Sequence, residues 1–224
     1  MCDNQKYYAA YEERYKTIHQ RGHSWASNRS TPIVMDVIRR YHILPEQELL
    51  EIGCGEGRDS KVVLDNGYRL TATDISGEAI SFCKKHMPRY VQNFKVLDCL
   101  SSCMDSSFDF IYAVAVIHML VHDEDRKGFY RFVYNHLHSE GIALICTMGD
   151  GKAEMRSDTS KAFELQERDH PAGKILVAAT SCRMVSFTTF EKELTENDLS
   201  IIENGITSAY PDFDNLMYAV VKKR

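Results

Sequence analysis

The chain has no hydrophobic run long enough to cross a membrane. Its longest purely apolar stretch is residues 110–117, far short of the roughly 20 residues that a helical span takes. Glycine and proline are scarce, 12 and 5 in 224 residues, which excludes collagen-like repeats and linker-dominated architecture. Basic charge is not in excess either. Lys and Arg number 27 against 32 Asp and Glu, for a net charge of −5, which argues against an extended polyanion as the main partner. Residues 1–44 hold seven basic and four acidic side chains, but these are scattered as on solvated helix faces. The seven cysteines do not make an even set, and Cys54 and Cys146 sit in apolar, strand-like contexts. Reduced thiols acting as small hydrophobes are expected, not a disulfide framework. The first 14 residues carry tyrosine and charge where a signal peptide needs an apolar stretch. The expectation is a soluble, cytoplasmic protein with no membrane association.

What is present is the composition of an ordinary globule, 44% apolar and 26% charged, at a length that suits one domain. Helical and strand periods alternate along it. Tyr7, Tyr8, Tyr11, Tyr15 and Ile18 fall at helical spacing, and Thr31-Pro32 opens a second helix that Leu44-Pro45 closes. From Leu49 the pattern predicts strand, glycine turn, helix, strand at 68–74, and a helix begun by Ser76. Strands near 94–97, 108–116 and 142–147 follow, with a helix over 123–137 running toward Gly141. Continuous apolar strands alternating with amphipathic helices predict a parallel sheet covered on both faces. The fold expected is α/β, a doubly wound Rossmann-like sheet. Residues 148–184 break the rhythm, with six acidic and six basic side chains, and are expected to form a lid after the fifth strand. A helix over 187–199 and two antiparallel strands joined through Tyr210-Pro211-Asp212 complete the chain. The division expected is one domain: a helical cap at 1–44, a sheet half at 45–147, the lid at 148–184, and a helix with hairpin at 185–224.

The sharpest local signal is LLEIGCGEG at 49–57, a strand entering glycines at alternate positions and then a helix. Glycine there permits positive φ and close approach of a ligand to the main chain. Arg58 stands where the dinucleotide fingerprint needs its last glycine, which disfavours a pyrophosphate cradle and a nicotinamide dehydrogenase. Asp74 ends the second strand, where a carboxylate either accepts two ribose hydroxyls or caps the Ser76 helix. Asp98 ends the third strand in a similar way, and Asp109 reads as structural.

EIGCGEG at 51–57, TDIS at 73–76, LDC at 97–99, FDFIYAVAVIHML at 108–120 and IALICT at 142–147 together resemble the class I S-adenosylmethionine-dependent methyltransferases. The resemblance implies a seven-stranded sheet with an antiparallel last strand. It assigns the turn of Gly53, Gly55 and Gly57 to the methionine part of S-adenosylmethionine and leaves Glu51 orienting that turn. It gives Asp74 the ribose hydroxyls, Ile75 the adenine face, Asp98 and the Cys99 amide the adenine edge, and Ala115 a place beside the methionine. Ser139-Glu140-Gly141 departs from the Lys-Pro-Gly-Gly type turn of many relatives, in a loop away from these residues. YEERY at 11–15, followed by Trp25, resembles the N-terminal helix of the thiopurine and tellurite-resistance methyltransferases. That likeness implies a cofactor contact through Tyr15, whose ring would suit a sulfonium cation; the plainer reading is a tyrosine stripe packed on the sheet.

His118 follows the fourth strand, where a histidine orients or deprotonates an acceptor, or only lines a wall. His118 with His122, and His19 with His23, have helical metal spacing but lack a third ligand, so no metal site is expected. After the fourth strand there is no Asn/Asp-Pro-Pro-aromatic element and no Pro-Cys pair, as methylation of DNA bases would need. The reaction expected is in-line methyl transfer to N, O or S of a small-molecule acceptor, leaving S-adenosylhomocysteine. Transfer to RNA or protein, and binding of the cofactor without catalysis, are the alternatives.

Overall fold

A computed structural model describes residues 6–25, 27, 29–209 and 213–224. Its centre is a seven-stranded sheet: β1 (Glu48–Ile52), β2 (Arg69–Asp74), β3 (Phe94–Val96), β4 (Phe108–Val114), β5 (Leu137–Met148), β10 (Leu199–Ala209) and β11 (Phe213–Lys223). The strand order is β10-β11-β5-β4-β1-β2-β3. β3, β2, β1, β4 and β5 run parallel, and β11 is antiparallel to both of its neighbours. This is the mostly parallel sheet with an antiparallel last strand that the sequence led one to expect. The connection at 210–212 lies outside the described residues.

Strand periodicity of two sorts the core into two layers. Leu49, Phe110, Leu144 and Val220 face α2 (Pro32–Arg40), α3 (Arg58–Asp65) and α4 (Gly77–His86). Leu50, Ile111, Ile145 and Val221 face α5 (Asp123–His136) and α6 (Phe187–Glu196). Each fully buried side chain of this size contributes about 1.5–3 kcal/mol relative to exposure, so a one-residue slip of any central strand would exchange one filled layer for the other. Local signals start the helices. Ser76 accepts from the Ala79 amide and caps α4, and Pro32 opens α2. Thr31 does not cap α2 with its side chain; its hydroxyl donates to Asp59 at 2.8 Å and ties α2 to α3.

Gly141 does not end α5, which stops at His136, where β5 begins. A Cβ on Gly141 would lie 2.9 Å from the Asp109 carbonyl oxygen and 3.0 Å from that of Phe108, so this glycine serves close strand contact. Residues 148–184 hold more regular structure than their polarity suggested. β6 (Met155–Arg156) pairs with β9 (Arg183–Met184), and β7 (Leu165–His170) forms a hairpin with β8 (Gly173–Ala178). The hairpin packs Ile175 and Val177 against Ile18 of α1 (Ala10–Gln20). No helix among the described residues is long and apolar enough to cross a membrane, and their six cysteines are free.

Candidate active site

At the carboxyl end of β1 the backbone turns through Gly53 (φ +72°) and Gly55 (φ +53°), where a side chain would be strained. A Cβ on Gly53 would meet Val116 Cγ2 at 2.3 Å, and one on Gly55 would meet the Tyr15 hydroxyl at 2.7 Å. The turn is therefore bare main chain pressed between the loop after β4 and the N-terminal helix. Gly57 belongs elsewhere. Its missing Cβ makes room for Met87 and Cys83 of the neighbouring helix layer, and it does not line the cleft.

Asp74, at the end of β2, holds this turn in place. Its Oδ2 accepts from the Gly55 amide and its Oδ1 from the Ser76 amide, both at 2.8 Å. Burial raises its pKa to about 6, against the lowering effect of those two amides. Glu51 is buried under the turn and accepts hydrogen bonds from Tyr112 at 3.0 Å and from Ser60. Burial, with the nearby charge of Asp59, pushes its pKa to about 8, so it carries a proton at neutral pH. Asp98, after β3, accepts from the Leu100 amide at 2.9 Å, Ser101 at 2.9 Å, Lys6 at 2.5 Å and Tyr8 at 3.4 Å. Burial alone would raise this carboxyl, but Lys6 and its other donors hold it below the ordinary range. Burial drives the Cys99 thiol up to about 12, which removes it as a nucleophile at neutral pH.

After β4 the chain reverses at Ala115, a non-glycine residue at φ +57°. It then forms a short 3-10 turn, Ile117–Met119. Side chains from α5, from residues 181–183 and from the N-terminal turn satisfy this segment's backbone. Arg126 donates to the Ile117 carbonyl at 2.8 Å, Ser181 to Met119 at 2.6 Å and Arg183 to Val121 at 2.9 Å, while the Tyr7 hydroxyl accepts from the Val121 amide at 2.9 Å. Arg126 is only 1% exposed and is paired with Glu193 at 2.6 Å.

These pieces enclose one cleft, with about 1150 Å³ of atom-free space when its open mouth is included. It gathers Tyr15, Glu51, Gly53, Gly55, Asp74, Ile75, Asp98, Cys99 and Ala115 from the sequence-derived set, together with Tyr8, Tyr11 and Trp25. His118 is 4% exposed and outside this lining. Burial, then the charge of Arg126, lowers its pKa to about 3, leaving an imidazole of very weak basicity. None of the described residues in 148–184 lines the cleft. Among the described residues no three His, Cys, Asp or Glu side chains come together as a metal site. His19 instead spends its ring nitrogens on Glu56 and Glu78, each at 2.8 Å.

Sequence reasoning did not anticipate Glu12, Arg14, His19, Arg126 or Glu193. Glu12 and Arg14 fell within the YEERY stretch and His19 within a two-histidine spacing, but neither signal pointed to the contacts they make. Nothing local marks Arg126 or Glu193.

Residues 50–145 match the family model described as a methyltransferase domain. Among curated proteins, phosphoethanolamine N-methyltransferase 1 of Zea mays is 26% identical over 147 residues, 64% of this chain and 28% of that protein. The chain thus spans less than a third of the length of that relative. Among solved structures, an S-adenosylmethionine-dependent methyltransferase from Clostridium acetobutylicum superposes with a TM-score of 0.65 at 16% identity, covering 97% of this chain and 99% of that one. The 1,6-didemethyltoxoflavin-N1-methyltransferase of Burkholderia thailandensis, solved with 1,6-didemethyltoxoflavin and S-adenosylhomocysteine, gives a TM-score of 0.72 at 13% identity over 100% and 91%.

Proposed function

We propose, from the match of residues 50–145 to a methyltransferase-domain model and from a fold shared with the class I S-adenosylmethionine-dependent enzymes, that this chain transfers the methyl group of S-adenosylmethionine to a small molecule. The observation that carries this reading is the convergence of the bare Gly53–Gly55 main chain with Asp74 and Asp98, from neighbouring strand ends, in one cleft. The residues suit the cofactor. Two carboxylates stand ready for ribose and adenine donors, and the turn has no Cβ to keep a ligand from the backbone.

In this reading Asp74 accepts the ribose hydroxyls while still bracing the turn through Gly55. Ile75 packs on adenine, and Asp98 with the Cys99 amide reads its edge. The Gly53–Gly55 turn and Ala115 flank the methionine part, with Glu51 protonated beneath them and Tyr15 over them. Gly57 supports the start of α3. The cofactor, when bound, supplies a methyl on cationic sulfur, a leaving group that needs no acid. The protein's share is to align the acceptor and exclude water, and such alignment lowers barriers by several kcal/mol, about 7–11 at most.

The acceptor side of the cleft is apolar and aromatic: Tyr8, Tyr11, Leu100, Val116, Met119 and Leu120. The charges around the whole cleft are five carboxyl groups and one guanidinium, Arg58, which donates to Thr31 at 3.0 Å. That balance favours an acceptor with an apolar body and no phosphate or carboxylate, attacking through N, O or S. α1 and the lid hairpin behind it narrow the approach, which favours a small molecule over a nucleic acid or a protein. His118 is assigned to the wall of the turn and not to proton transfer. Calorimetry with S-adenosylmethionine and S-adenosylhomocysteine, followed by tritiated-methyl transfer to phenols, aromatic amines and phosphoethanolamine, tests the reading. Binding of both cofactor forms and transfer to a phenol or amine are expected; indifference to both forms at millimolar concentration would overturn it.

A further inference from the structure

Tyr8, Glu12, Tyr15 and His19 are spaced by four, three and four residues, so they form one stripe along α1 and the 3-10 turn (Tyr7–Ala9) before it. Each meets a loop at the carboxyl end of the sheet. Tyr8 reaches Asp98 after β3. Glu12 accepts from the Ser76 hydroxyl at 2.6 Å and from the Glu78 amide at 3.1 Å, at the start of α4 after β2. Tyr15 covers Gly55 after β1. His19 sits between Glu56 of the same turn and Glu78 of α4.

We propose that Glu12 and His19 are positioning residues for the cofactor, fixing Tyr15 over the Gly53–Gly55 turn although neither need touch the ligand. This deepens, and rests on, the methyltransferase reading. The placement of Glu12 suits the task, because a carboxylate at a helix N-terminus meets unpaired amides and the positive end of the helix dipole. It also joins a relay, since the Ser76 hydroxyl that donates to Glu12 accepts from Ala79 at 3.0 Å. His19 fastens the other end of the helix one turn beyond Tyr15. Tyr15 is thereby held from both sides.

The opposite face of α1 is attached independently. Arg14 donates to the Ala178 carbonyl at 2.7 Å, the Ala179 carbonyl at 2.8 Å and Thr180 at 3.1 Å. Its guanidinium lies 4.6 Å from the Tyr11 ring centroid and 4.7 Å from that of Trp25. Ile18 packs on the hairpin. A helix that loses its inner stripe therefore keeps its outer attachments, and the effect falls on ligand affinity more than on folding.

The test uses Glu12→Ala, His19→Ala and Glu12→Gln, whose carboxamide oxygen still accepts from Ser76 and Glu78. S-adenosylhomocysteine affinity is measured by calorimetry below the melting transition of each variant. Trp25, the one tryptophan in the chain and part of the cleft wall, reports the same titration by fluorescence. The two alanine variants are expected to bind about tenfold more weakly, as loss of charge-assisted hydrogen bonds implies, with Glu12→Gln within about threefold of the parent. The Trp25 titration midpoints are expected to move with the calorimetric ones. Should Glu12→Ala fail to fold, Glu12→Asp, one methylene short of Ser76, replaces it with the same expected loss. Folded alanine variants with parental affinity would overturn the proposal, as would a Glu12→Gln variant as weak as Glu12→Ala. A parent chain that ignores S-adenosylhomocysteine would instead overturn the methyltransferase reading on which the proposal stands.

Discussion

The two sides of the cleft are built in different ways. The bracing of the glycine turn after β1 is local: Asp74 reaches back 19 residues to Gly55 and forward two to Ser76. The side formed by residues 115–121 is held from afar. Ser181 is 62 residues from the Met119 carbonyl it binds, and Tyr7 is 114 residues from the Val121 amide. In the methyltransferase reading, the cofactor side is thus braced within residues 51–76, while the wall assigned to the acceptor is braced by residues brought in from both ends of the chain.

The harshest way to break this contrast is Arg126→Ala. Removing one member of a buried ion pair costs about 3–5 kcal/mol, and here it also frees the Ile117 and Leu120 carbonyls. Urea unfolding should show a loss of that order while the folded fraction keeps parental S-adenosylhomocysteine affinity; a parallel collapse of affinity would join the two sides into one unit. Asp74→Ala should do the reverse, weakening S-adenosylhomocysteine about a hundredfold through two charge-assisted contacts. Parental affinity by calorimetry in that variant would remove Asp74 from the ribose.

A gentler probe is pH. The carboxyl of Asp74 titrates near 6 because it is buried, and its ionised form is the better acceptor for ribose hydroxyls. Cofactor affinity should be complete above pH 6 and fall about tenfold for each pH unit below it. The stability linkage has the opposite sense. A carboxyl whose pKa is raised on folding opposes folding above that pKa, and this penalty fades as pH falls from 6 toward the ordinary value of 3.8. A flat affinity profile between pH 8 and 5 would show that the Asp74 charge is not used. The smallest effect is expected from His118→Asn. With a pKa of about 3, the imidazole is neutral throughout the working range, so turnover should stay within about threefold and the pH–rate profile should keep its shape. Loss of the acid-side limb from that profile would restore the histidine to the chemistry.

The same contrast explains what could be read beforehand. Leu49-Leu50 against Phe110-Ile111, glycines after β1 and carboxylates after β2 and β3 are local patterns, and they yielded the sheet and most of the cradle. Alternation alone cannot tell a glycine that bares its backbone in the cleft from one that, like Gly57, makes room for Met87. The burial of His118 away from the cleft lining was not legible, because position after a strand says nothing about burial. β7, LQERDH, has no apolar alternation; its pairing with β8 is carried by backbone hydrogen bonds and by its partner's Ile175 and Val177. The Arg126–Glu193 and Arg183–Glu193 pairs join residues that only the completed fold brings together.

Arg14 hangs the surface hairpin's backbone on the same helix that roofs the glycine turn. Hairpin and glycine turn are thus joined through one helix, one on each of its faces. In the methyltransferase reading, an antibody fragment clamped across residues 165–178 is expected to slow cofactor release; release at the parental rate would show hairpin and helix to be uncoupled.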